Sequence, residues 1–143
     1  MAKAQMTWLS GMALEGTAES GHRVVVDSSP DVGGENRGFR PTELTLISLM
    51  GCTGIDVLSI LQKMRVTVDA FDMDADADRR ETHPKIFEHV MVNYRLTSPD
   101  CTPAQLERAV TLSAERYCTV SAMLEPPVAI RRMIYLNGER LDA

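Results

Sequence analysis

The chain has 143 residues, 44% hydrophobic and 24% charged, with a net charge of −5 and a pI near 5.2. That length fits a single domain over residues 1–143 with a core of its own, and the acidic balance excludes a nucleic-acid surface, which needs a basic face. No uncharged apolar run of 18 residues occurs, and the start MAKAQMTWLSG lacks the apolar centre of a signal peptide, so the expectation is a cytoplasmic protein without a membrane span.

In chain order, residues 4–16 and 22–28 are predicted strands joined by a turn at Glu19-Ser20-Gly21. Residues 29–40, with one Pro and three Gly among polar neighbours, form a loop that carries Arg37 and Arg40. Pro41 opens a helix, where its missing N–H is no loss. In RPTELTLISLMGCTGIDVLSILQKMR the apolar residues cover most of the helix circumference, as in a helix surrounded by a core or an oligomer interface. About 24 residues at 1.5 Å each span roughly 36 Å, more than one small protomer can cover, which predicts a dimer. Gly51 and Gly54 flank Cys52 and allow a bend or a close backbone approach.

Residues 66–79 alternate apolar and acidic side chains, the pattern of a half-exposed strand whose Asp69, Asp72, Asp74, Asp76 and Asp78 face solvent. A calcium loop would need a turn glycine and a closing bidentate glutamate, and neither stands at the required offset. Thr82-His83-Pro84 turns the chain into a return strand over 85–97, with His83 and His89 as surface or hairpin-packing residues. Thr102, Pro103 and Gln105 form the start of a helix with a capping box. An apolar stripe then leads through Leu106, Val110, Leu112 and Ala114 to Tyr117 and Cys118. Thr119 or Ser121 caps a short further helix, and 128–136 is a last strand closed by Asn137-Gly138. Cys52, Cys101 and Cys118 make neither a zinc spacing nor a disulfide framework. Taken singly, Cys52 and Cys118 read first as small core residues, since a lone cysteine is more often structural than reactive, and second as a reactive pair; Cys101 reads as incidental.

The order strand–strand–long helix–hairpin–helix–strand, with the proline-opened helix around Cys52 and the step Cys118-Thr119-Val120-Ser121, resembles the OsmC/Ohr family of small thiol peroxidases. SGHRVVVDSS and ETHPKIFEHVMVNYRL look most like its OsmC-like branch. The resemblance covers nearly the whole chain. It implies an α+β fold, an intertwined homodimer with two long central helices wrapped by antiparallel sheets, and active sites at the subunit interface. It implies a thiol-dependent peroxidase without cofactor, acting on organic hydroperoxides and less well on hydrogen peroxide, and re-reduced by an external dithiol of which the lipoyl type is one form. Cys52 would be the peroxidatic thiol and Cys118 the resolving thiol.

A mid-helix thiol gains little from the helix dipole, and burial disfavours its thiolate, so a cation is required. In the family an arginine held by a glutamate supplies it. Here Arg40 and Arg37 rank before Arg23 for that part, and Glu43 is the candidate glutamate. The family glutamate directly follows the helix-opening proline, where this chain has Thr42. The nine residues from Glu43 to Cys52 turn about 900°, placing the two on opposite faces of a straight helix. Asp56, four residues after Cys52 and on its face, would disfavour a thiolate unless it holds the arginine or another cation. The alternative function is a non-catalytic OsmC-like dimer that binds a small apolar ligand at its interface.

Overall fold

The computed structural model describes residues 1–141, which group into two compact units, residues 1–47 and the residues from Ser48 onward. The first unit holds β1 (Ala4–Ser10), β2 (Ala13–Ala18) and β3 (Arg23–Val26) in an antiparallel sheet of that order. The stretch 4–16, expected as one strand, is folded back at Gly11, whose φ of +55° only glycine adopts freely. Trp8 Nε1 donates to the Gly11 carbonyl at 2.9 Å and closes that turn. Every residue of β1 is exposed, Met6 and Trp8 among them.

The loop after β3 is organised by Asp27, a buried carboxylate. It accepts from the backbone N–H of Ser28 at 2.7 Å, Glu35 at 3.2 Å and Arg37 at 3.1 Å. Burial pushes this carboxyl up, but the three N–H donors and the Arg37 charge outweigh it and hold it below the usual carboxylate range. The loop runs so close to the sheet that a Cβ at Gly34 would lie 1.9 Å from the Ser28 carbonyl oxygen, and one at Gly38 would lie 2.1 Å from that of Val25.

Helix α1 spans Pro41–Lys63 without interruption. Its start is fixed by Pro41 and by Glu43, whose carboxylate accepts from the Arg40 backbone N–H at 2.7 Å, half of a capping box. The second unit holds β4 (Ala70–Arg79), β5 (Phe87–Thr97), β6 (Ala129–Leu136) and β7 (Glu139–Arg140) in that order. Antiparallel pairing was expected throughout, and β5 with β6 departs from it by running parallel. A parallel pair needs a crossover, and the helical segment between them supplies it: α2 (Pro103–Leu112), a π-helical turn (Ser113–Tyr117) and α3 (Thr119–Leu124). The expected capping box of α2 is complete, with Thr102 Oγ1 accepting from Gln105 N at 3.2 Å and Gln105 Oε1 from Thr102 N at 2.9 Å.

The core of the second unit is built from Leu49, Val57 and Leu61 of α1, Val90, Val92, Tyr94 and Leu96 of β5, and Leu106 of α2. Gly54 permits close packing of α1 on β4, since a Cβ there would sit 3.0 Å from Met73 Sδ. Strand β4 alternates as read from sequence, its aspartates outward. It starts at Ala70 rather than 66, because Thr67 N donates to Asp100 Oδ1 at 2.8 Å and Asp69 N to the Thr97 carbonyl at 2.9 Å, which ties 66–69 into a loop. The exposed side of α1 is apolar in part: Ile55 and Leu58 remain 69% and 39% exposed. By length and composition alone, with mean hydropathy 1.9, α1 would suffice to cross a bilayer; its buried stripe serves the core of the second unit instead.

Because backbone, not a flexible side chain, blocks a Cβ at Gly38, Gly38→Ala is expected to lower stability by about 2 kcal/mol or more, read as a drop in the urea midpoint at unchanged slope.

Candidate functional site

The helical segment before Cys118 does not continue as an α-helix. It widens into the π-helical turn Ser113–Tyr117, and such turns concentrate at functional sites. The turn ends when the Cys118 N–H reaches back to the Ser113 carbonyl at 2.8 Å. Cys118, with φ −73° and ψ 98°, is itself the cap of α3, its sulfur accepting from Ser121 N at 3.4 Å. The expectation that Thr119 or Ser121 would cap this helix is thereby corrected. Ser121 Oγ completes the turn by donating to the Cys118 carbonyl at 3.0 Å.

Cys52 is half-buried, Cys118 is buried, and both are free thiols. Burial pushes the Cys118 thiol up, Ser121 hydrogen bonding draws it partly back, and the neighbouring Cys52 thiol raises it further. The structure therefore brings the two sequence-predicted cysteines side by side, one half-buried and one buried.

Around this pair lies a chain of buried hydroxyls that the sequence reading missed. Thr53, the residue after Cys52, is 2% exposed, and its Oγ1 bonds both the Tyr94 hydroxyl and Ser113 Oγ at 2.8 Å. Ser113 Oγ in turn donates to Asp56 Oδ2 at 2.8 Å. The donor directions follow. A carboxylate only accepts, so the one Ser113 proton is committed to Asp56; Thr53 must then donate to Ser113, and Tyr94 to Thr53. At the far end the Arg132 guanidinium of β6 lies within reach of the Tyr94 oxygen. Burial pushes the Tyr94 hydroxyl up, and the Thr53 bond and the Arg132 charge oppose that shift. Arg132 is also paired with Glu125 at 3.1 Å. Of the two readings of Asp56, neither the arginine nor another cation is found: its partner is the Ser113 hydroxyl, and among the described residues it is in no salt bridge.

The remaining candidates belong to the first unit. Arg37 donates to Ser10 Oγ at 2.5 Å. The Arg40 guanidinium donates to the Gly38 carbonyl at 3.1 Å and Asn36 Oδ1 at 3.0 Å. Arg23 pairs with Glu15 at 2.7 Å. Glu43 meets Arg40 through the backbone N–H rather than the guanidinium. Within the second unit, a cleft of about 280 Å³ is lined by Asp56, Ser59, Ile60, Lys63, Leu112 and Tyr117. It begins one helical turn from Cys52 and next to Cys118, and mixes apolar walls with one charge of each sign. Among the described residues no three His, Cys, Asp or Glu side chains converge to hold a metal ion.

Fold and site together define a small α+β protein with paired free thiols. A family model described as OsmC-like protein matches residues 33–131. Protein YhfA of Escherichia coli strain K12 is 37% identical over 128 residues, 90% of this chain and 92% of that protein. The crystal structure of a hypothetical protein from Aquifex aeolicus VF5 aligns with a TM-score of 0.85 at 30% identity, covering 97% of this chain and 98% of that one. An organic hydroperoxide resistance protein OsmC from Legionella pneumophila shares the fold, with a TM-score of 0.68 at 15% identity over 94% of this chain and 96% of that one. The chain belongs to the OsmC-like family.

Since the Cys118 thiol is raised by burial first and by Cys52 second, removing Cys52 leaves the larger cause in place. The alkylation rate of Cys118 in Cys52→Ser is expected to rise only at pH values above those of an ordinary thiol, in a profile read by peptide mass spectrometry.

Proposed function

We propose that this protein is a thiol-dependent peroxidase that reduces organic hydroperoxides, and hydrogen peroxide less well, with Cys52 attacking and Cys118 resolving. The observation that carries the reading is the half-buried Cys52 thiol beside the buried Cys118 thiol. The Cys52 thiolate attacks the terminal peroxide oxygen; the O–O bond breaks, an alcohol leaves after protonation, and Cys52 becomes a sulfenic acid. Cys118 then condenses with it to a disulfide and water. An external dithiol of the lipoyl type returns both thiols by exchange, in keeping with a cytoplasmic, reducing compartment. Family membership supports the redox assignment, as does the name of the Legionella pneumophila fold relative. By resemblance, Arg40 first and Arg37 second supply the charge that favours the Cys52 thiolate, with Glu43 as the accompanying carboxylate.

Turnover of cumene hydroperoxide with dihydrolipoamide is expected in the native protein and absent in Cys52→Ser. Cys118→Ser is expected to consume about one equivalent of peroxide and stop, its Cys52 sulfenic acid trapped by dimedone. Arg40→Met is expected to slow the first step at least tenfold. No peroxide consumption with any dithiol would reject the assignment. The second reading, a non-catalytic dimer binding a small apolar ligand, draws on the cleft walled by Ile60, Leu112 and Tyr117; it predicts a co-purifying ligand by native mass spectrometry and no peroxide consumption.

The homodimer is part of the same proposal. Ile55 and Leu58 stand exposed on an apolar helix, and fully covering one such side chain is worth about 1.5–3 kcal/mol. Ile55→Glu is accordingly expected to shift the protein from a dimer toward its 15.8 kDa protomer in sedimentation at micromolar concentration; a native protein already at protomer mass would count against the dimer.

A further inference from the structure

The resolving step requires that Cys118, on a junction between two short helical pieces, be held against Cys52. Ser113 is the hinge of that requirement. Its carbonyl holds the Cys118 N–H at 2.8 Å, and its hydroxyl is bonded on both sides to α1, accepting from Thr53 and donating to Asp56, each at 2.8 Å. Thr53 in turn neighbours Cys52 in sequence and is anchored to β5 by Tyr94 at 2.8 Å. Both cysteine-bearing segments are thus tied to one buried string of hydroxyls whose donor order leaves no alternative arrangement. Tyr94 and Ser113 are 0% exposed and Thr53 2% exposed, so the Tyr94–Thr53 and Thr53–Ser113 links are closed to water.

We propose that the Tyr94–Thr53–Ser113–Asp56 chain is the positioning device of disulfide closure, with Thr53, Tyr94 and Ser113 as positioning residues that keep Cys118 in register with Cys52. The inference rests on the two-thiol reading above. In the step it serves, the Cys118 sulfur attacks the sulfur of the Cys52 sulfenic acid formed by a hydroperoxide. The S–S bond forms, the S–O bond breaks, and the oxygen leaves as water with the Cys118 proton. If the register slackens, a second peroxide reaches the waiting sulfenic acid and carries it to sulfinic acid. The ratio of disulfide to sulfinic acid therefore reports positioning, separately from the rate at which Cys52 is first oxidised.

The test compares Thr53→Val, which keeps the shape and deletes the hydroxyl, with Tyr94→Phe and with Thr53→Ser, each checked for native circular dichroism. After cumene hydroperoxide, mass spectrometry is expected to show the disulfide-to-sulfinic ratio falling at least fivefold in Thr53→Val and Tyr94→Phe and returning in Thr53→Ser. A purely structural role would lower the melting temperature without moving that ratio. In a second arm, diamide replaces peroxide and closure of the Cys52–Cys118 disulfide is timed. Slower closure in Thr53→Val and Tyr94→Phe sustains the inference even if hydroperoxide leaves the native thiols untouched, a result that would reject the peroxidase reading alone. Equal closure in all variants with diamide, or no closure in the native protein, overturns it.

Discussion

Three hydroxyls in the second unit have no water to turn to. A buried hydroxyl left without a partner costs about 1–3 kcal/mol, so Tyr94, Thr53 and Ser113 must satisfy one another, and each bond among them joins two different elements. Thr53 ties α1 to β5 through Tyr94 and to the π-helical turn through Ser113. Asp56 drains the last proton of the series, and no buried side-chain nitrogen or oxygen among the described residues is left unpaired. Apolar burial supplies the bulk of the driving force here, but it is indifferent to a small rotation of a helix. The hydroxyl string is not, because hydrogen bonds weaken steeply with angle. It fixes where Cys118 lies relative to α1.

The same string resolves the position of Asp56. Its carboxylate, one helical turn after Cys52, accepts from the Ser113 hydroxyl rather than meeting a cation. Glu43 is spent differently again, on the N–H that opens α1. Three acidic side chains serve helix ends and loops: Glu43 for α1, Asp27 for the loop before it, and Asp100 for the segment that leads into β4.

Local signals made much of the fold readable. Pro41 and the continuous apolar run marked α1; Thr102, Pro103 and Gln105 marked α2; the alternating aspartates marked β4. Each signal is written within a few residues, where backbone propensity and periodicity act. The break at Gly11 was missed because AQMTWLSGMALEG alternates well enough for a single strand, and only the positive φ of Gly11 reveals the fold-back. Parallel pairing of β5 with β6 is a long-range choice set by the crossover between them. The hydroxyl string was invisible for a similar reason: its links join residues 41 and 60 positions apart, and Thr, Tyr, Ser and Arg carry no periodic signature. Two cysteines could be nominated from their neighbours in sequence, whereas the polar groups that orient them could not.

Strand β4 forms the outer margin of its sheet, and a ten-residue margin with open backbone groups invites another chain to dock alongside. Asp72, Asp74, Asp76 and Asp78 set a negative charge at every second position, with Arg95 drawn across to the first two. An incoming copy of the same strand would bring like charges into close opposition in either direction. The acidic row that gives β4 its solvent face thereby sets like charge against like and keeps a long ribbon of copies from propagating.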